Sequence, residues 1–336
     1  MMRSVLAGLA AVILLSATPA LAQTSAFDRG VEAYKAGNYT AAVAAFDEAY
    51  RASPQLGTLR NRALSYYKAK DYARSATDYQ TVSTQSGLAD DLIMYANALD
   101  QNGQYERSIP LYERAATLPP GQLSAWKELG VAHVQARKYS LGADAYSKAV
   151  AAAPNDAGLR MSLANALYDA GRFTDALPAY QAATRLEPTN AKAWRYLGNT
   201  QAKLNDVPGS VISFDRALAI EPNNSGIHLD KGAAFYNSKD YAGSIGPYRR
   251  ATQLDPKSAT AAGYLGDALR LTKDYTGARK AYETALSIDP KLVFVFKGLI
   301  PILIVTGDTT AAKARIDQLR PLDAASADKY QAMLPQ

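Results

Sequence analysis

A four-residue turn recurs along this chain at a nearly fixed interval. Its first copy is Ala36-Gly37-Asn38-Tyr39, and the aromatic that closes it returns as Tyr72, Tyr105, Tyr139, Phe173, Tyr241 and Tyr275. Val207 and Thr309 fill the slot in two divergent copies, so successive turns stand 33 or 34 residues apart. A unit of that length holds two helices and two turns but cannot bury an apolar face by itself. It is stable only when stacked on its neighbours, and a chain built this way becomes a one-dimensional array.

The slots within each unit repeat as regularly as the turn. A small residue recurs as Gly30, Ala63, Ala96, Gly130, Ala164, Gly198, Gly232 and Gly266, where two helices must approach closely. A large aromatic recurs as Phe46, Tyr79, Tyr112, Tyr146, Tyr180, Phe214, Tyr248 and Tyr282. Units close on Pro54, Pro120, Pro154, Pro188, Pro222, Pro256 or Pro290, with Gly87 in the second copy, and each stops a helix. The series Trp194, Leu197, Gly198, Ser210, Phe214, Ala217, Pro222 resembles the tetratricopeptide-repeat family. The resemblance implies an all-α, right-handed superhelical solenoid of about nine helix-turn-helix repeats over residues 23–322. The first helix of each pair would face a concave groove.

The ends of the chain carry separate signals. Arg3, the apolar run Val5 to Leu15 and Ala20-Leu21-Ala22 form a secretory leader, with cleavage expected after Ala22. The run is too short to span a membrane, which needs roughly twenty residues, so no integral span is expected after cleavage. Ser25-x-x-Asp28 then fits a capping box that opens the first helix. Residues 323–336 read as a C-terminal capping helix, with Ala327, Tyr330, Met333 and Leu334 on one stripe. The reading is a periplasmic or secreted protein. No cysteine occurs, so disulfide and thiol chemistry are excluded. Loss of Arg3 lowers the formal charge from +6 to +5, with acids and bases interspersed. That pattern does not predict a nucleic-acid partner, and it fixes no oligomeric state.

Motifs of catalysis and metal binding do not occur in the sequence. Neither a phosphate-binding glycine loop nor a nucleophile elbow is present. The two histidines, His133 and His228, fall three repeats apart on packing slots, so no metal or cofactor is expected. Asp90-Asp91 reads as favourable charge at a helix start. The expected product of this chain is therefore binding, not turnover.

Projection of repeat positions 5, 9, 12 and 13 onto the groove gives the candidate ligand-binding residues. They are Tyr67, Asn97, Lys127, Asn165, Tyr168, Arg195, Asn199, Lys203 and Tyr236, with Tyr34, Arg60 and Lys297 on equivalent slots. Asparagine can serve both groups of a peptide unit, and tyrosine adds apolar area with a polar tip. The repeated Asn resembles the asparagine ladder of O-linked N-acetylglucosamine transferases. The chaperone-tail clamp of some family members is disfavoured, because Arg195 and Asn199 are followed by Asp230, Thr260 and Tyr264.

The ninth unit is almost wholly apolar from Leu292 to Val305. Phe294, Ile304 and Val305 are either an apolar partner patch or a surface that the C-terminal helix covers. Taken together, these features predict a non-enzymatic scaffold of the bacterial cell envelope that binds an extended polypeptide or assembly partner. The alternative is a module for an anionic polymer, a polysaccharide or lipid headgroup, held by Tyr and Lys.

Overall fold

A computed structural model describes residues 25–335. The expected leader and its cleavage site lie outside the described residues. Among those residues there are nineteen α-helices and no strand.

The helices fall into two compact units. The unit ending at Arg172 contains α1 (Ala26–Lys35) and α2 (Tyr39–Ala52), α3 (Leu56–Lys68) and α4 (Tyr72–Ser86), α5 (Ala89–Gln101) and α6 (Tyr105–Ala116), α7 (Gln122–Gln135) and α8 (Tyr139–Ala152), then α9 (Ala157–Asp169). The unit beginning at Phe173 contains α10 (Phe173–Leu186), α11 (Ala191–Lys203) and α12 (Val207–Ile220), α13 (Ser225–Asn237) and α14 (Tyr241–Leu254), α15 (Ala259–Leu271) and α16 (Tyr275–Ile288), α17 (Val293–Val305) and α18 (Thr309–Leu319), then α19 (Ala324–Gln331). Within each unit, every helix packs on the helix before it and the helix after it. The expected all-α stack of helix pairs is what each unit forms.

Two residues per repeat make the turn between paired helices. The first adopts a left-handed conformation: Gly37, Gly103, Gly171 and Gly307 have φ between 73° and 78°, and Lys70, Arg137, Asn205, Lys239 and Lys273 between 58° and 67°. The second returns its N–H to the ending helix, as Asn38 does to Ala33 (2.9 Å) and Asp240 to Phe235 (2.9 Å). Where it is Asn or Asp its side chain caps the next helix: Asn38 accepts from the Ala41 N–H (3.2 Å) and Asp240 from the Gly243 N–H (2.8 Å), whereas Gln104 and Lys138 make no such bond. One dipeptide thus ends one helix and starts the next.

The aromatic slots form the interior. Phe46, Tyr79, Tyr112, Tyr146, Tyr180, Phe214, Tyr248 and Tyr282 are all buried. Their rings lie against the small residue of the first helix. A β-carbon on Gly232 would stand 2.5 Å from Tyr248, and one on Gly198 would stand 2.9 Å from Phe214. The close approach expected at this slot is real, and Leu or Val there would push the ring out of the core.

Both ends of the described chain are closed. Ser25 caps α1, the N-cap half of the expected capping box: the Asp28 N–H donates to Ser25 Oγ (3.1 Å), and the Asp28 carboxylate accepts from the Ser25 hydroxyl (2.6 Å). At the other end, α19 places Ala327 and Tyr330 on the core of α17 and α18. Pro301 lies inside α17 and has no N–H to offer the Lys297 carbonyl one turn earlier. The Tyr330 hydroxyl donates to that carbonyl instead (3.3 Å), while Lys297 Nζ pairs with Asp323 (2.9 Å). Phe294 and Ile304, read from sequence as an apolar patch, pack partly buried on this core, and Val305 stays exposed. No helix among the described residues is long and apolar enough to cross a membrane.

Candidate functional site

The faces of the first helices carry the expected binding residues, but several of these already have partners within the chain. Arg60 on α3 meets Asp91 on α5 through two parallel N–H to oxygen bonds of 2.7 Å. Asp91, read as a helix-start charge, is therefore the anchor of an inter-repeat clasp. Arg195 on α11 donates through Nε to Asp230 on α13 (2.6 Å), and Lys297 binds Asp323 in the same way. Position 5 is thus a seam between repeats at three of the four cations. Lys127, the fourth, is half-buried on α7 and forms no ion pair among the described residues.

Two of the candidate asparagines, Asn97 and Asn199, also have partners within the chain. Asn97 accepts the Tyr112 hydroxyl (2.6 Å), and its amide nitrogen faces only the Met94 sulfur (4.0 Å). Asp267 in α15 likewise accepts the Tyr282 hydroxyl (2.6 Å). A polar residue at position 9 can thus satisfy the phenol that the second helix buries, a demand that a phenylalanine there does not make. Phe214 is such a case, and Asn199 donates instead to Asp230 (3.0 Å), the oxygen that Arg195 also holds. The structure therefore brings Arg195 and Asn199 together, but around an internal carboxylate.

The tyrosines at position 12 have a double role. Tyr67 lies edge-to-face on Tyr72 (5.4 Å), as Tyr34 does on Tyr39 (5.4 Å) and Tyr236 on Tyr241 (5.2 Å). These rings pin the turn between paired helices while keeping part of their surface in solvent. Burial pushes the Tyr67 hydroxyl up to about 12, and the negative charges of Glu128 and Asp100 add to the shift. Asn165 and Tyr168 lie half-buried on α9 in the first unit, and Lys203 is exposed at the end of α11 in the second.

Two carboxyls that the sequence reading missed stand among these groups. Burial raises Asp100, which takes the position-12 slot of α5, above the usual carboxylate range, although hydrogen bonds including one from Tyr112 (3.0 Å) oppose the shift. Glu128 on α7 is raised by burial too; Lys127 offsets this and Asp100 adds to it. Neither carboxyl has an ion-pair partner among the described residues. The first unit's face is thus acidic at α5 and α7, where a surface of amide, phenol and ammonium groups was expected. The only available signal was the break in pattern, Asp100 where Tyr34, Tyr67 and Tyr168 stand in other units.

A second line of tyrosines lies in the second unit. Tyr236, Tyr248, Tyr264 and Phe294 follow one another at 6.5, 5.7 and 5.5 Å between ring centres. His228 fills the slot of Trp194: its Nε2 lies 3.3 Å from the Pro222 carbonyl, as Trp194 Nε1 donates to Pro188 (2.8 Å). Among the described residues, no group of three His, Asp or Glu could hold a metal ion.

Comparison with known proteins bears on the fold. Similar solved structures include the C-terminal part of a TPR repeat-containing protein from Cytophaga hutchinsonii, at 16% identity and a TM-score of 0.55, covering 81% of this chain and 99% of that one. YrrB, a TPR protein with an unusual peptide-binding site, is 20% identical with a TM-score of 0.49, over 55% of this chain and 96% of that one. MamA is 19% identical with a TM-score of 0.48, over 51% and 93%. A search of curated proteins found no match. The tetratricopeptide repeat profile matches residues 27–86, 94–157, 161–225 and 228–292. With that match over most of its length, and with the helix pairs, slots and turns described above, the chain belongs to the tetratricopeptide-repeat family.

Proposed function

We propose that this protein is a non-enzymatic interaction scaffold of the bacterial cell envelope that holds an extended polypeptide along the faces of its first helices. The observation that carries the reading is the pair Asp100 and Glu128. Both are half-buried beside tyrosines and neither forms an ion pair among the described residues, an arrangement that a partner's Lys or Arg side chain would complete. The anionic-polymer alternative is weaker, because Arg60 and Arg195 are already held by carboxylates. The export half of the reading rests on Arg3, the apolar run and Ala20-Leu21-Ala22. N-terminal sequencing of the processed protein should begin at Gln23.

The test is titration of the mature chain with three probes: an extended Lys/Ala peptide, its Glu/Ala counterpart and a sulfated polysaccharide. The basic peptide should bind, and Asp100→Asn with Glu128→Gln should weaken it roughly tenfold, about 1.4 kcal/mol, at unchanged helicity. Binding of the polysaccharide alone, or equal binding by the double variant, would refute the proposal.

A further inference from the structure

His133 is out of place in its own repeat. The equivalent slot holds buried Leu99, Leu167, Leu269 and Leu303 in α5, α9, α15 and α17, and Ala33, Tyr66 and Phe235 in α1, α3 and α13. Gln201 takes it in α11, where its amide is satisfied, accepting from Ser213 (2.5 Å) and donating to Asp206 (3.2 Å). His133 is just 6% exposed, and its Nδ1 is sealed from solvent with no hydrogen-bond partner. Leucine would fill the site without leaving that orphaned nitrogen.

The charged groups that face the ring are Glu113 and Glu106 from α6 and Lys138, the residue that precedes α8. Glu106 is already taken by Lys138 (2.7 Å). Burial pulls the imidazole below its usual range, Glu113 pulls it back, and Lys138 adds to the depression. In the charged ring both nitrogens carry protons, and Nδ1 has no acceptor within reach.

We propose that His133 is an acid-sensing element in the first unit: taking up a proton loosens the seam between α6 and α7 and weakens the face that α5 and α7 present. In the neutral state the ring behaves as a core residue. The opened form, with its imidazole in water, titrates near the ordinary value of about 6.5. Because the packed form titrates lower, stability is full above that pH and falls as pH drops toward the packed-state value. At pH 5.5 the opening equilibrium should rise by up to about tenfold relative to pH 7.5. Glu128 and Asp100, whose carboxyls burial raises, act in the opposite sense, so variants decide the matter. The inference does not depend on the identity of the partner.

The experiment is amide hydrogen exchange of the mature chain at pH 7.5 and 5.5, corrected for intrinsic rates. His133 and His228 are the only histidines, so two variants separate them. Opening of α6 to α8 should increase severalfold at pH 5.5 in the wild type and in His228→Trp, and should stay flat or fall in His133→Leu. A pH response of the wild type no greater than that of His133→Leu, or a persisting increase in His133→Leu, overturns the proposal. Independently of any variant, a titration of the His133 ring by NMR that gives a value at or above 6.5 also overturns it.

Discussion

The left-handed turn position offers a stability test with its own internal control. Four repeats place glycine there and five place a side chain, at nearly the same backbone angle. A β-carbon on Gly37, Gly103, Gly171 or Gly307 would meet nothing within 4 Å. Space is therefore not the issue, and the difference between the two groups is backbone strain. An L-residue in this conformation costs about 1–2 kcal/mol, while glycine gives back about 0.4–1 kcal/mol in unfolded-state entropy. Lys239→Gly and Lys273→Gly should each gain about 0.5–1 kcal/mol, because neither lysine makes a described side-chain bond. For a unit of this size the pair should raise the midpoint by roughly 2–8 °C. Thermal unfolding followed at 222 nm measures it, with Gly307→Lys as the reverse control, expected to lower the midpoint. A fall in midpoint for the lysine-to-glycine pair, or a rise for Gly307→Lys, would refute the strain argument.

Three further outcomes follow from the internal bonds. Arg62 binds Asp78 through two N–H groups (2.8 Å each) and Asp47 at 2.7 Å. Asp47 also pairs with Arg51, so Arg62→Met strands the Asp78 carboxylate and should cost about 3 kcal/mol in urea unfolding; an unchanged midpoint would contradict this. Tyr282→Phe removes the hydroxyl that donates to Asp267 and accepts from Arg270 Nε (3.2 Å), a loss of about 1.5–3 kcal/mol that calorimetry should detect. Tyr330→Phe leaves the Lys297 carbonyl unsatisfied and should speed proteolysis of α19 severalfold without affecting the first unit, whereas Pro301→Ala in that background should restore protection by returning the missing N–H.

Much of the fold is legible in the sequence because repeat packing is local. The Gly232 and Tyr248 slots lie 16 residues apart and recur, so the contact is written many times over. The binding face is harder to read. Arg60 and Arg195 look like groove cations until Asp91 and Asp230 are seen opposite them, 31 and 35 residues later. A carboxylate one repeat away is as plausible on the solvent side, and only side-chain direction decides. Asn97 illustrates the same difficulty: its amide resembles a ligand group, but the buried Tyr112 phenol has first claim on its oxygen. Asp100 and Glu128 were overlooked because attention to repeated residues hides the single departure.

The closing helix also constrains how a chain like this can grow by duplication. An interior pair such as α13 and α14 has faces that another pair can meet, so copying it would lengthen the array in register. The final pair is different. A duplicated α17 would carry Pro301 and its vacated Lys297 carbonyl into the interior, where the next first helix brings no counterpart of Tyr330 or Asp323. Insertions upstream of Leu292 should therefore be tolerated, while a copy of residues 293–319 should leave an unsatisfied carbonyl and an oily helix within the stack. Among the described repeats, the last is a unit that duplication cannot reuse as it stands.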